Sequence, residues 1–230
     1  MDALAALGAC AGVLFLYNVL VLALRRASGL TLMLQSGRQW THKHVSGRSA
    51  TDVTLAVQTL RNTVLVATFV GTLSFTVAGA TLGAAAAADG AAPRARAVLQ
   101  AALLTGSFLN FALVIRCAAH AGYLIGSLTA QPQAAAAAEQ SRAAEEGEGA
   151  ARADAPADPL HEVTTLLHMQ AVHFSLGFRF FYTSIPFAFA VVGTEALIIA
   201  TCAIVAFLVY IDHALYIWGR CAMRGAVRLA

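Results

Sequence analysis

The chain has 230 residues, of which 59% are hydrophobic and only 12% are charged, and its net charge is +3. Because a soluble domain carries about 25% charged residues, this composition argues against an ordinary water-soluble protein and predicts an integral membrane protein with the lipid bilayer as its solvent. The basic residues lie beside apolar runs and do not alternate with aromatic residues, which argues against nucleic acid as a partner.

Five apolar segments approach the roughly 20 residues that a membrane-spanning helix requires. In chain order they cover residues 3–24, 62–83, 98–119, 173–192 and 195–217. Gly193 and Thr194 predict a tight turn between the last two segments. The predicted fold is an all-α polytopic bundle of about five transmembrane helices, forming a single transmembrane domain over residues 1–230. In a four-span alternative, residues 173–217 form one span and a re-entrant segment.

Two connections between these segments are long. Residues 25–60 are predicted to contain a helix that leads straight into the second span and is capped by Thr51 or Asp52. Residues 130–158 combine an alanine run with glutamate, glycine and proline, and they cannot bury an apolar face. They are therefore predicted to form a disordered acidic loop.

The distribution of basic residues predicts the orientation of the bundle. With the N-terminus outside and the C-terminus inside, the outer connections hold only Arg94 and Arg96. The inner connections then hold all of Arg25, Arg26, Arg38, Lys43, Arg48, Arg142, Arg152, Arg220, Arg224 and Arg228.

Small residues recur at the spacing that allows close packing of membrane helices. Three GxxxG spacings start at Gly8, Gly79 and Gly122. They predict either ordinary packing within the chain or a face for a homo-oligomer. Pro186 is predicted to kink the fourth span and to free a backbone carbonyl near Tyr182.

Polar and ionisable residues inside spans are costly and are often functional. In the predicted orientation, a set of them reaches one layer of the inner leaflet. The set contains Arg61, Asn62, Arg116, His120, His173, Arg179, Tyr182 and Asp212. Its three arginines outnumber its one aspartate, so the layer is positive and suits an anion.

These residues are the candidate ligand-binding residues. The three guanidinium groups would hold an anionic ligand or lipid headgroup, because guanidinium binds phosphate or carboxylate in a bidentate way. Asn62 and Tyr182 would orient the anion, and Asp212 would set the charge balance. In the structural alternative, Arg61 and Arg116 extend to the headgroups and Asp212 neutralises one arginine as a clamp between helices.

Other functions have weaker sequence support. The four cysteines include no CxxC pair, and the sequence carries none of the common catalytic motifs, so neither a thiolate metal site nor a particular enzyme is indicated. A haem or metal redox protein would require ligands such as His120 and His173 to face each other. No cofactor is assigned. A further alternative is a structural subunit of a larger membrane complex, held by the small-residue faces.

Four stretches of the sequence resemble one known family. They are AVQTLRNT at 56–63 after Trp40, SFLNF at 107–111 leading to Arg116 and His120, FSLGFRFFY at 174–182 followed by Pro186, and LVYID at 208–212. This pattern resembles the domain of unknown function 599 family and covers nearly the whole chain apart from 84–97 and 130–158. The resemblance implies a small multi-span membrane protein without an assigned reaction.

Overall fold

The computed structural model of the chain describes residues 2–23, 39–41, 50–142 and 159–227. This part of the chain contains no β-strand, which confirms the all-α prediction. Its five long helices are α1 (Ala3–Ala23), α2 (Ala50–Ala87), α3 (Ala91–Arg142), α4 (Pro159–Phe189) and α5 (Thr194–Val227).

Several helices extend beyond the predicted spans. The second one begins at Ala50, so Asp52 lies inside its first turn, where a carboxylate interacts favourably with the helix dipole. The third one continues to Arg142, so residues 130–142, predicted to belong to a disordered loop, are helical. The alanine run explains this correction, because alanine has the highest helix propensity. The rest of that loop, 143–158, lies outside the described residues.

Two short turns at the same end of the molecule connect successive helices. The α2–α3 turn contains Gly90, which has a φ of 100°, and the α4–α5 turn at 190–193 ends on Gly193, which has a φ of 153°. L-residues rarely adopt such positive φ values, which explains why glycine occupies both positions. The end of the bundle that carries these two turns is called the hairpin end below.

The helices α2, α3 and α4 pack side by side in antiparallel order. The Phe111 side chain of α3 lies between two glycines: a Cβ built on Gly71 would be 3.2 Å from the Phe111 Cβ, and one built on Gly177 would be 3.1 Å from its ring. Beside it, the Ser107 hydroxyl donates a hydrogen bond to the Gly177 carbonyl at 2.9 Å and lies 3.1 Å from the Ser74 hydroxyl. Small residues and buried hydroxyls thus bring three backbones close together.

The helices α1 and α5 run parallel to each other. They pack against the half of this three-helix layer that lies nearest the hairpin end. Leu7 and Leu14 of α1 belong to a buried cluster with Phe187 of α4 and Leu197 of α5. Further along both helices, Tyr17 meets Asp212. Both α1 and α5 therefore run from the hairpin end towards the opposite end.

Four of the helices are long and apolar enough to cross a membrane. The segments that meet this condition are Ala3–Val21, Thr51–Ala87, Ala91–Ser127 and Thr194–His213. The fourth helix is not among them, because polar residues such as Arg179, Thr183 and Ser184 interrupt its apolar sequence and are buried inside the bundle. It nevertheless lies antiparallel to α3 along its length, with Val163 packed at one end and Phe187 at the other.

The GxxxG spacings do not form the contacts between helices. A Cβ built on Gly8, Gly12, Gly79, Gly83 or Gly122 would meet no atom within 4 Å. Of the two alternatives that these spacings left open, close packing within the chain is contradicted at these five positions, and a face for a homo-oligomer stays a prediction. The close approaches are made instead by Gly71, Gly106 and Gly177, which belong to none of the three spacings.

Candidate functional site

A buried ion pair connects α4 and α5. One guanidinium nitrogen of Arg179, Nη2, donates to both carboxylate oxygens of Asp212, at 2.7 Å to Oδ1 and 2.8 Å to Oδ2. The two side chains are 10% and 18% exposed. Because the two opposite charges are desolvated together, removing either one would leave the other buried without a counter-ion.

The first helix completes this cluster with two polar side chains. The Tyr17 hydroxyl donates to Asp212 Oδ2 at 2.7 Å, and Arg179 Nη1 donates to Asn18 Oδ1 at 3.5 Å. The Asn18 amide nitrogen donates to the Thr183 hydroxyl at 3.3 Å and to the carbonyl of Leu14 at 2.8 Å. Side chains from α1, α4 and α5 therefore satisfy one another's hydrogen-bonding groups.

This geometry favours the clamp interpretation for two of the candidate residues. The charge of Arg179 is balanced by Asp212, and the pair presents no net charge to a ligand. Arg179 lies eleven residues, or about 16 Å, from the start of the α4–α5 turn. In a bilayer core of about 30 Å that begins at this turn, Arg179 would lie near the middle. An isolated charge at that depth would cost several kcal/mol, which explains why the sequence supplies a partner.

A second polar pair lies between α3 and α4. The Asn110 amide nitrogen donates to the Gly106 carbonyl at 2.8 Å, so its oxygen must be the acceptor for His173 Nδ1, 3.0 Å away. In this arrangement His173 Nδ1 is the donor of the hydrogen bond between the two side chains. Six residues, or about 9 Å along the helix, separate this pair from Arg179.

The two histidines of the haem hypothesis do not face each other. His173 contacts Asn110, whereas the exposed His120 lies ten residues further along α3, which is about 15 Å. No group of three or more His, Cys, Asp or Glu side chains that could hold a metal ion occurs among the described residues.

Tyr182 lies in an aromatic cluster and not at the ion pair. Its ring stacks on Phe178 with centroids 5.8 Å apart and meets Phe207 of α5 edge to face at 5.7 Å. Phe178 in turn packs edge to face against Phe111 at 5.1 Å. This cluster fills the space between α3, α4 and α5 with apolar surface.

The remaining candidate residues lie on exposed faces of α2 and α3. Arg61, Asn62, Arg116 and His120 are all exposed. The antiparallel packing places Leu60 of α2 in the same buried cluster as Ala118 of α3, so the two arginines lie within about one helical turn of the same height. Neither arginine forms a salt bridge with any described carboxylate.

The predicted single layer is therefore divided among four places in the structure: the ion pair, the His173–Asn110 pair, the aromatic cluster that contains Tyr182, and an exposed arginine surface. Sequence reasoning missed Tyr17 and Asn18. The signal was present, because these two adjacent polar residues interrupt an otherwise apolar first span.

Five packed helices, four of them apolar enough to span a membrane, and an ion pair buried between them define a polytopic helical membrane protein. The family described as "Protein of unknown function, DUF599" matches residues 5–215. The chain therefore belongs to the DUF599 family, as its motifs indicated. No curated protein and no solved structure matches it.

Proposed function

We propose that this protein binds the phosphate of anionic lipid headgroups through Arg61 and Arg116. The observation that carries this proposal is that both guanidinium groups are exposed on adjacent helices at similar height and lack a carboxylate partner among the described residues. The contrast with Arg179 supports it, because the arginine inside the bundle has its own counter-ion and these two do not.

A count of residues along the helices supports a position of the two arginines near the level of lipid phosphates. Counting about 20 residues of hydrocarbon from the hairpin end along α3 reaches the boundary close to Arg116. The packing of α2 against α3 brings Arg61 to nearly the same level. A guanidinium group at this boundary reaches a phosphate without entering the hydrocarbon.

Two further exposed polar residues lie close to these arginines along the same two helices. Asn62 follows Arg61 directly, and His120 lies four residues after Arg116 on the same face of α3. All of these side chains are exposed. A headgroup held between the two helices would then meet two positive charges and two further polar groups.

The experiment is native mass spectrometry of the protein released from nanodiscs that contain phosphatidylglycerol and phosphatidylcholine in equal amounts. The wild type should retain phosphatidylglycerol preferentially, and Arg61→Gln with Arg116→Gln should lose that preference. Arg94→Gln is the matched control, because Arg94 is also exposed but lies at the hairpin end.

Free phosphate is distinguished from a lipid headgroup in a second arm, with phosphatidylcholine nanodiscs and inorganic phosphate. Phosphate bound there, with no preference for the anionic lipid, would assign the surface to a soluble anion instead. Equal retention of phosphatidylglycerol by the wild type and the double variant would disprove the proposal.

A structural subunit of a larger membrane assembly is the second candidate, and the open glycine faces favour it. Gly8 and Gly12 of α1, and Gly79 and Gly83 of α2, have free space where a Cβ would lie, so another helix could approach their backbones closely. Gly79→Leu with Gly83→Leu should then release a stoichiometric partner chain during purification from native membranes. Recovery of the same complex with this variant would reject this candidate.

A further inference from the structure

Arg61 of α2 and Arg116 of α3 lie on the same side of this helix pair. The rings of Phe75 on α2 and Phe108 on α3 meet with centroids 5.0 Å apart, and Phe75 is 61% exposed, so the two rings mark an open side of the pair. Arg61 lies fourteen residues before Phe75, almost four whole turns, and is therefore on nearly the same face of α2. Arg116 lies eight residues after Phe108, about 80° further round α3, where it is exposed. Both side chains therefore belong to one exposed surface.

The two arginines differ in depth by about one helical turn. The hydroxyls of Ser74 on α2 and Ser107 on α3 lie 3.1 Å apart and give the register of the two antiparallel helices. Counted from this pair away from the hairpin end, Arg61 is thirteen residues away and Arg116 is nine, a difference of about 6 Å. The axes of packed helices are about 8–10 Å apart. Two long side chains placed in this way can reach one headgroup that lies on the surface between them.

Neither helix places an acidic residue close to the two arginines. The nearest one along α2 or α3 is Asp52, nine residues or about 14 Å from Arg61. This separation exceeds the screening length of about 8 Å at physiological ionic strength. A ligand on this surface therefore has to balance two positive charges by itself.

The number of terminal oxygens on a phosphate group limits how many guanidinium groups it accepts. A phosphodiester headgroup has a single negative charge and two terminal oxygens, both of which one bidentate guanidinium occupies. A phosphomonoester has three terminal oxygens and a charge of about −1.5 to −2 at pH 7. Two guanidinium groups therefore match a phosphomonoester in charge and in acceptors, whereas a phosphodiester leaves one of them without a full partner.

We propose that the surface formed by Arg61 and Arg116 selects lipids with a phosphomonoester headgroup, the chemistry of phosphatidic acid, over lipids with a phosphodiester headgroup. This inference rests on the proposed function, because it assigns the class of headgroup to the same site. Each arginine donates to a different pair of phosphate oxygens, and the two pairs share one oxygen. The acyl chains extend towards the middle of the bilayer along the side marked by Phe75 and Phe108.

The test is native mass spectrometry of the full chain released from phosphatidylcholine nanodiscs that contain equal small amounts of phosphatidic acid and phosphatidylmethanol with the same acyl chains. The methyl ester changes only the charge and the number of terminal oxygens of the phosphate. We expect the wild type to retain phosphatidic acid at least about tenfold more, which is the effect of one charge-assisted hydrogen bond. Arg61→Gln and Arg116→Gln should each lose most of this preference, because one guanidinium remains and a phosphodiester satisfies it.

Arg94→Gln removes an exposed arginine at the hairpin end and should keep the preference for phosphatidic acid. Glycerol 3-phosphate, added to the wild type in pure phosphatidylcholine nanodiscs, tests a soluble source of the same chemistry, and its stoichiometric binding would overturn the assignment to a lipid. Equal retention of the two anionic lipids by the wild type, or a preference that survives both single variants, would overturn the inference. In either case the proposed function stands if both anionic lipids are retained above phosphatidylcholine, and it fails as well if neither is.

Discussion

Arg179 on α4 donates from one guanidinium nitrogen to both carboxylate oxygens of Asp212 on α5, at 2.7 and 2.8 Å. The turn at 190–193 brings these two helices together, and Tyr17 then joins the first helix to the same carboxylate. One polar cluster therefore connects three helices that also pack together through apolar residues such as Leu14, Phe187 and Leu197.

Removing either charge of this pair should destabilise the protein strongly. Asp212→Asn or Arg179→Gln leaves the other charge buried without a counter-ion, and we expect each to lower the free energy of unfolding by about 3–5 kcal/mol. The double variant should lose much less than the sum of the two, because it leaves no unpaired charge. Unfolding in mixed micelles with increasing denaturing detergent measures all four proteins. Additive losses would contradict the clamp.

The tyrosine that reaches the ion pair should matter more than a tyrosine on the lipid surface. Tyr17→Phe removes a hydrogen bond to a charged carboxylate and should cost about 1.5–3 kcal/mol. Tyr210→Phe is the matched control, since Tyr210 lies on α5 and is 70% exposed, and it should change stability by less than about 0.5 kcal/mol. The same detergent titration compares both variants, and equal effects would argue against the observed hydrogen bond.

Two glycine-to-alanine changes should have opposite effects. In Gly177→Ala the new methyl group would lie 3.1 Å from the Phe111 ring, so we expect a loss of about 1–3 kcal/mol from overpacking. In Gly79→Ala it meets open space, and the higher helix propensity of alanine should stabilise the helix by up to about 1 kcal/mol. Phe111→Leu in the Gly177→Ala background should recover part of the loss. A stable Gly177→Ala protein would show that the backbones are further apart.

The predicted orientation can be measured by cysteine labelling. Asp89 and His161 are exposed at opposite ends of the bundle, so each can carry a single cysteine after the four native cysteines are replaced. In intact cells, an impermeant maleimide should label Asp89→Cys directly and His161→Cys only after permeabilisation. The reverse pattern would show that the basic connections lie outside.

Composition and motif were sufficient to predict the helical membrane architecture and the family. The positions of Arg179 and Asp212 were also readable as a costly polar layer, because charge in an apolar run is conspicuous in one dimension. The residue with which each of them pairs could not be read from the sequence. Tyr182 was predicted to orient an anion held by Arg179 and the other two arginines, yet its ring belongs to the aromatic cluster with Phe178 and Phe207.

The fourth helix shows why composition alone was insufficient to predict how a helix packs. Its sequence is too polar to meet the apolarity condition that the other four helices satisfy, because its polar residues face protein instead of lipid. An average over the composition shows how apolar a helix is as a whole. It does not show which face contacts lipid and which contacts protein. For the same reason the GxxxG spacings did not show which glycines pack inside the chain, since Gly71 and Gly177 form the close contacts without belonging to such a spacing.

Apolar length and motifs are properties of the linear chain, so the all-α membrane fold and the DUF599 family could be predicted without the structure. Which arginine is neutralised and which are exposed became clear from the packing of the helices. That outcome depends on the packing of α1, α4 and α5, which brings Tyr17, Arg179 and Asp212 within 2.8 Å contacts although up to 195 residues separate them in the chain. Charge balance inside the bundle is thus a property of helix packing and not of local sequence.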